Sequence, residues 1–270
     1  MQPRTVASAD GTPIAFWRSG AGRPLVLVHG TTADHTRWAT VLPLLEPHFT
    51  VYAVDRRGRG GSGDSSGADA YAIEREFEDV VATVRAVRED ARENPILLGH
   101  SYGGICSLEA ASRIPDDIID GLILYEPPIQ VGIEIYPPGV IDRLDALIAA
   151  GEREEALMTF MREIVHVPAE QIELSRSLPS WEGRVAAAPT VAREVRADDE
   201  YRLDAGRCAR VVAPVLLLHG SDSPAFLVRA TEYLHEAIPH STLHALAGQQ
   251  HAAMDTAPQL FADEIVRFTG

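Results

Sequence analysis

Ser101 lies in "ILLGHSYGGICSLEAA" (residues 96–111), flanked by glycines, between an apolar run and a small-residue stretch of helical character. A hydroxyl is a poor nucleophile until a neighbouring base takes its proton, so its chemistry depends on a histidine and a carboxylate elsewhere in the chain. His251 lies in "LAGQQHAAMDTAP", after the apolar run "STLHAL" and before a closing helix, and Asp222 ends "LLLHGSD". Serine, acid and histidine thus follow one another along the chain in the types needed for a nucleophilic triad: the carboxylate orients the imidazole, and the imidazole activates the hydroxyl.

Two other glycine motifs compete for meaning. "GDSSG" (63–67) matches G-x-S-x-G around Ser65, but nothing strand-like immediately precedes it and nothing helical follows. "GRGGSG" (58–63) matches G-x-G-x-x-G after a strand. Even so, the chain reads as loop until about residue 71, where a dinucleotide site needs a helix N-terminus, and no acidic residue follows at the end of a second strand. No cofactor is therefore expected. "GHSYG" (99–103) does have the required setting, following "PILL" directly and opening a helix, so that a sharp turn projects the Ser101 hydroxyl above a sheet. Gly99 and Gly103 are small because neighbouring elements crowd that turn.

The elements that must position these residues read as follows. "PLVLVHG" (24–30), "FTVYAVD" (49–55), "PILLGHS" (95–101), "IDGLILYEP" (119–127) and "PVLLLHGSD" (214–222) are short continuous apolar runs ending in turn residues. Such runs mark strands buried on both faces, the habit of a parallel sheet. Residues 72–91 between them carry Phe77, Val80, Val81, Val84 and Val87 at helical spacing. The alternation predicts an α/β architecture: a mostly parallel, doubly wound sheet with helices on both faces. Ahead of it, residues 4–19 read as a hairpin turning at Asp10-Gly11. From 131 to 209 the rhythm breaks into helix-like segments, two of them punctuated by Gly151. An α-helical insertion is expected there, over a core formed by 1–130 and 210–270.

The chain has 270 residues, 46% hydrophobic and 23% charged, enough for a substantial core, and a net charge of −15 with no lysine. Nucleic acid and anionic membrane surfaces, which require a basic patch, are excluded as partners. Cys106 and Cys208 have neither disulfide-framework nor zinc-ligand spacing, and no metal site is expected. "MQPRTVASADGTPIAFW" lacks a basic segment followed by an apolar one, and no run approaches the roughly 18 apolar residues of a membrane span, so a cytoplasmic protein is expected.

Taken together, "VLVHGTTADHTRW" (26–38), "VDRRGRGGSG" (54–63), "GHSYGG" (99–104), "LLLHGSD" (216–222) and "GQQH" (248–251) resemble the α/β-hydrolase fold, in the branch with an N-terminal hairpin and a helical cap. The resemblance covers nearly the whole chain outside the cap. It implies a serine triad of Ser101, His251 and an acid, with the oxyanion received by the backbone N–H groups of Thr31 and Tyr102. At the acid this chain departs from the pattern. Similar hydrolases commonly read G-x-x-D after that strand, where Ser223 stands here, one position beyond Asp222. The spacing to His251 favours Asp222. Glu126 in "LILYEPP" is the alternative, because some members take their acid from the strand after the nucleophile helix.

A serine at 101 excludes epoxide opening and halide displacement, which use an aspartate at that position in similar proteins. The expected reaction is hydrolysis of a small-molecule carboxylic ester or lactone through an acyl-enzyme. Thioester, amide or carbon–carbon bond hydrolysis, a lyase, a ligand-binding protein and cofactor-independent peroxidation are the alternatives on the same scaffold. Trp38, Tyr136 and Trp181 are candidate pocket residues, and His29 is expected to order the oxyanion loop. His100 and His219 read as structural, and Glu152, Glu154 and Glu155 as a solvated helix face.

Overall fold

The computed structural model describes residues 1–65 and 71–270. Ser66–Ala70, the end of the loop expected to run to about residue 71, lie outside the described residues. Eight strands, β1 (Gln2–Ala7), β2 (Pro13–Gly20), β3 (Arg23–Val28), β4 (Phe49–Val54), β5 (Ile96–His100), β6 (Gly121–Tyr125), β7 (Val215–Gly220) and β8 (Ser241–Leu246), form one sheet in the order β1-β2-β4-β3-β5-β6-β7-β8. β1 and β2 pair antiparallel, as do β2 and β4, and every later pairing is parallel. This is the α/β-hydrolase fold.

The continuous apolar runs have a simple cause. Successive side chains along a strand point to opposite faces, so a strand covered on both sides must be apolar at every position. Val26, Val28, Leu97, Leu122, Leu124, Val215 and Leu217 meet the helices Ile73–Ala91 and Tyr102–Ala111 on one face. Their neighbours Leu25, Leu27, Ile96, Leu98, Ile123, Leu216 and Leu218 meet Phe261 and Ile265 of the closing helix Pro258–Thr269 on the other.

The hairpin differs from expectation in its turn. Beyond the Ala7–Pro13 pair, Ser8 N–H still donates to the Thr12 carbonyl and Gly11 N–H to the Ser8 carbonyl, both at 2.9 Å, so the chain does turn at Asp10-Gly11 but through the three residues 9–11, one more than the favoured two-residue turn. Gly11 takes φ +84°, while the Asp10 carboxylate accepts from Thr12 N–H and from the buried Arg57 guanidinium.

Between β6 and β7 the chain forms helices only: Val140–Ala149, Arg153–Thr159, Ala169–Ser177, Trp181–Ala187, Val191–Glu200 and the single turn Ala205–Cys208, with a π-helical turn at Phe160–Ile164. Gly151, at φ +80°, separates the first two. Their apolar faces make a cluster of their own around Leu144, Leu157, Met161 and Val195, which reaches the core helix Ala225–Ala237 through Phe226 and Leu227. Among the described residues no helix is long and apolar enough to cross a membrane.

Candidate active site

Ser101 joins β5 to the helix Tyr102–Ala111 with φ 55° and ψ −129°, a conformation that costs a non-glycine residue about 1–3 kcal/mol. Its surroundings hold it there. Ser101 N–H donates to the Tyr125 carbonyl of β6 at 2.9 Å, and Gly104 N–H donates to the Ser101 carbonyl at 2.7 Å. Close packing dictates the flanking glycines: a Cβ on Gly99 would stand 2.5 Å from the Gly103 carbonyl oxygen, and one on Gly103 would stand 2.3 Å from that of His29. The loop after β3 is thereby pressed against the turn.

His251 follows β8 and shares a cavity with Ser101. Its Nδ1 lies 2.5 Å from Glu126 Oε2. An ionised carboxylate can only accept, so Nδ1 carries the proton and Nε2 is left as the basic nitrogen. The other Glu126 oxygen accepts the Gly220 N–H at 2.7 Å, and Glu126 itself, fully buried at the end of β6, has φ 48°. Among the described residues Ser101 Oγ and His251 make no direct hydrogen bond; such contacts commonly tighten only with substrate in place.

The carboxylate on the imidazole is Glu126 and not Asp222, which corrects the first choice made from spacing. Beyond β7 the chain is stitched to the loop after β8, with Ser221 N–H on the Leu246 carbonyl and Asp222 N–H on that of Gln249, both at 3.0 Å. That docking turns the Asp222 side chain outward, where it is exposed and accepts from Ser221 Oγ. Both carboxylates satisfy the order serine, acid, histidine. The signal for Glu126 was its position at a strand end, stopped by Pro127 and Pro128.

Neither Thr31 N–H nor Tyr102 N–H donates to any described residue, and both residues line the cavity beside Ser101. Thr31 owes its place to His29. Burial, reinforced by the nearby Arg59 and Arg56, holds the His29 imidazole well below its usual range, so it is neutral. It donates from Nδ1 to the Gly30 carbonyl and accepts the Arg56 N–H at Nε2. His100, also depressed by burial and then by His251, holds the His251 carbonyl through Nε2 at 2.9 Å.

The cavity has two lobes that meet at Thr31, Ser101, Phe160, Val165 and His251. The larger, about 730 Å³ counting space open to solvent, includes Arg37, Gln171, Ser175, Arg184 and Asp255. The smaller includes Ile135, Tyr136, Phe226 and Leu227, with Glu194 and Asp198 behind them. Tyr136 donates to Asp198, whose carboxyl burial pushes up to about 7. Of the aromatic candidates only Tyr136 is on these walls. Trp38 is wholly enclosed in the core below, and the Trp181 ring is covered by the Arg176 guanidinium, 5.5 Å from its centroid. The residues that sequence reading missed are Arg37, which lies within the 26–38 motif but has no role assigned from it, and Arg184, which no motif marks.

The "VDRRGRGGSG" segment builds a knot of charge beneath the site. Asp55 accepts from Trp17 Nε1 and Gly61 N–H on one oxygen, and from His35 N–H and Nδ1 on the other. Burial alone would raise its carboxyl, but these donors bring it down to about 2. Asp34, His35 and Asp55 are the one group among the described residues with metal-ligand spacing, within 4.8 Å, yet the four donors already occupy both Asp55 oxygens. Arg56 pairs with Glu76 and Glu194, and Arg57 with Asp79 and Asp10. Ser65 accepts from Arg57, a structural role.

This chain belongs to the alpha/beta hydrolase family, whose model matches residues 25–264. It is similar to an alpha/beta hydrolase of known structure from Sphaerobacter thermophilus DSM 20745, at 37% identity and a TM-score of 0.83 over 99% of this chain and 100% of that one. It is also similar to the esterase RhEst1 from Rhodococcus sp. ECU1013, at 27% identity and a TM-score of 0.77 over 99% and 98%. Among curated proteins it is 26% identical to the pimeloyl-[acyl-carrier protein] methyl ester esterase of Vibrio cholerae, covering 95% of this chain and 98% of the relative.

Proposed function

We propose that the protein hydrolyses small-molecule carboxylic esters through an acyl-enzyme on Ser101, with His251 as base and acid and Glu126 as the carboxylate behind it. The observation that carries the reading is the Glu126–His251 pair, 2.5 Å long, whose free imidazole nitrogen shares a cavity with a serine held on a strained turn. Esterase relatives add weight.

Ser101 Oγ attacks the ester carbonyl carbon while its proton passes to His251 Nε2. The charge on the former carbonyl oxygen is received by the Thr31 and Tyr102 N–H groups, each worth about 3 kcal/mol of transition-state stabilisation. Collapse breaks the bond to the alkoxy oxygen, which leaves with the His251 proton as an alcohol. Water then adds to the acyl-enzyme, giving a proton to His251, and the second collapse returns that proton to Ser101 Oγ and releases the acid. Ester and water become acid and alcohol, with no net change in the enzyme. Glu126 holds the imidazole tautomer and stabilises the imidazolium. The helices of residues 131–209 act as a cap that walls the cavity off from bulk water.

A short-chain nitrophenyl ester tests this. The expected result is turnover with an acylation burst, both lost on Ser101→Ala with a fall in kcat on the order of 10⁴-fold or more. Undiminished turnover in the variant would overturn the reading.

A further inference from the structure

The larger lobe holds a guanidinium that no acid neutralises. Arg184 projects from the helix Trp181–Ala187 into the wall shared with Ser101 and His251. Its Nη1 donates to Ser175 Oγ at 3.0 Å and its Nη2 to Thr32 Oγ1 at 3.2 Å, both neutral oxygens. Its Nε–H is buried and has no partner among the described residues. Two of five N–H donors are therefore engaged and none meets a carboxylate. The neighbouring acid, Asp255, is already taken by Arg37 Nη1 at 2.5 Å, with both side chains about 5% exposed. Arg37, Arg184 and Asp255 leave the lobe's lining with one surplus positive charge, in a chain whose net charge is −15.

Arg184 is half-buried with its Nε–H shut off from water; a cation so placed without a counter-ion is costly, and a fold that keeps one beside its reacting atoms has a use for an anion there. The opposite lobe has a different character: its walls are mainly apolar, its two acids are already engaged, Glu194 by Arg56 and Asp198 by Tyr136, and among the described residues no arginine lines it to receive a carboxylate. We infer that the substrate carries a free carboxylate besides its ester, and that Arg184 binds this carboxylate in the larger lobe while Ser101 attacks the ester carbonyl. The substrate class is thus the monoester of a dicarboxylic acid, or an ester of comparable charge and length. Planar guanidinium and planar carboxylate match in a two-point hydrogen-bonded fork, the strongest neutralising contact a protein offers this group. This inference rests on the esterase reading above.

The test compares mono-nitrophenyl glutarate with the isosteric ester in which the free acid is replaced by its primary amide. Wild-type protein is expected to favour the acid over the amide in kcat/KM by about 10- to 100-fold, the range of charge-assisted hydrogen bonds, mostly through KM. Arg184→Gln should bring the ratio near one, and Arg184→Lys should restore part of it. The wild-type comparison needs no variant, so a poorly folding substitution leaves the test intact. Equal rates on the two esters in wild type, or a ratio that Arg184→Gln leaves unchanged, would overturn the inference while the esterase reading stands. Turnover of neither ester, together with no covalent label on Ser101, would instead remove the esterase reading itself.

Discussion

Arginines drawn into the interior of this protein, fully or in part, are treated in two opposite ways. Arg56 and Arg57, fixed in the segment after β4, each meet carboxylates in forked pairs: Glu76 at 2.7 and 2.8 Å for Arg56, and Asp79 at 2.7 Å through two nitrogens for Arg57. Arg184, in the larger lobe, meets only a serine and a threonine hydroxyl. A fully matched charge is part of the scaffold, since its desolvation is offset within the protein. The unmatched one leaves its compensation to whatever enters the cavity. Burial, and then repulsion from Arg37, pulls the Arg184 guanidinium down to about 9.

The largest consequence falls on the matched group. Arg57→Met strands Asp79, 3% exposed, without its partner, and unfolding should be easier by roughly 3–5 kcal/mol, a fall in Tm on the order of 10 °C. The equivalent change at Arg184 removes a charge that nothing balances, and Arg184→Gln should leave Tm within about 2 °C of wild type or raise it. A large loss for Arg184→Gln, or none for Arg57→Met, would erase the contrast.

A smaller effect separates the two lobes by pH. Asp198, behind the smaller lobe, has its carboxyl raised by burial from 3.8 to about 7, so the folded protein binds that proton more tightly than the unfolded chain does. Its contribution to stability is complete below about pH 4 and is lost as pH rises through about 7. Asp198→Asn should therefore flatten the decline in Tm between about pH 5 and 8, measured by thermal melts across that range. An unchanged slope would mean the carboxyl is ionised in the fold throughout.

How much of this was legible in the sequence differs sharply between scaffold and site. The continuous apolar strands, the helix over 73–91 and the elbow at Ser101 follow from local chemistry, because burial on both faces and a crowded turn each leave a mark on consecutive residues. Glu126 left no such mark. Asp222 also ends a strand and also precedes His251, and only the stitching of residues 221–222 to the β8 loop decides which carboxylate reaches the imidazole. Arg184 was invisible for a different reason: what distinguishes it among 24 basic residues is its place on the cavity wall beside Ser101 with only hydroxyl oxygens bonded to it, a property of the packed structure. The hairpin does turn at Asp10-Gly11, one residue longer than that pair alone suggests, and the bond from Arg57, far along the chain, to Asp10 left no local mark.

In the proposed mechanism Glu126, through His251, makes Ser101 a nucleophile. Its most direct test is the rate at which a fluorophosphonate modifies the protein, followed by mass spectrometry on wild type, Glu126→Gln and Asp222→Asn. A single adduct on Ser101 is expected, forming at similar rates in wild type and Asp222→Asn and slowed at least ~100-fold in Glu126→Gln. An adduct on another residue, or slowing in Asp222→Asn with Glu126→Gln unaffected, would contradict it.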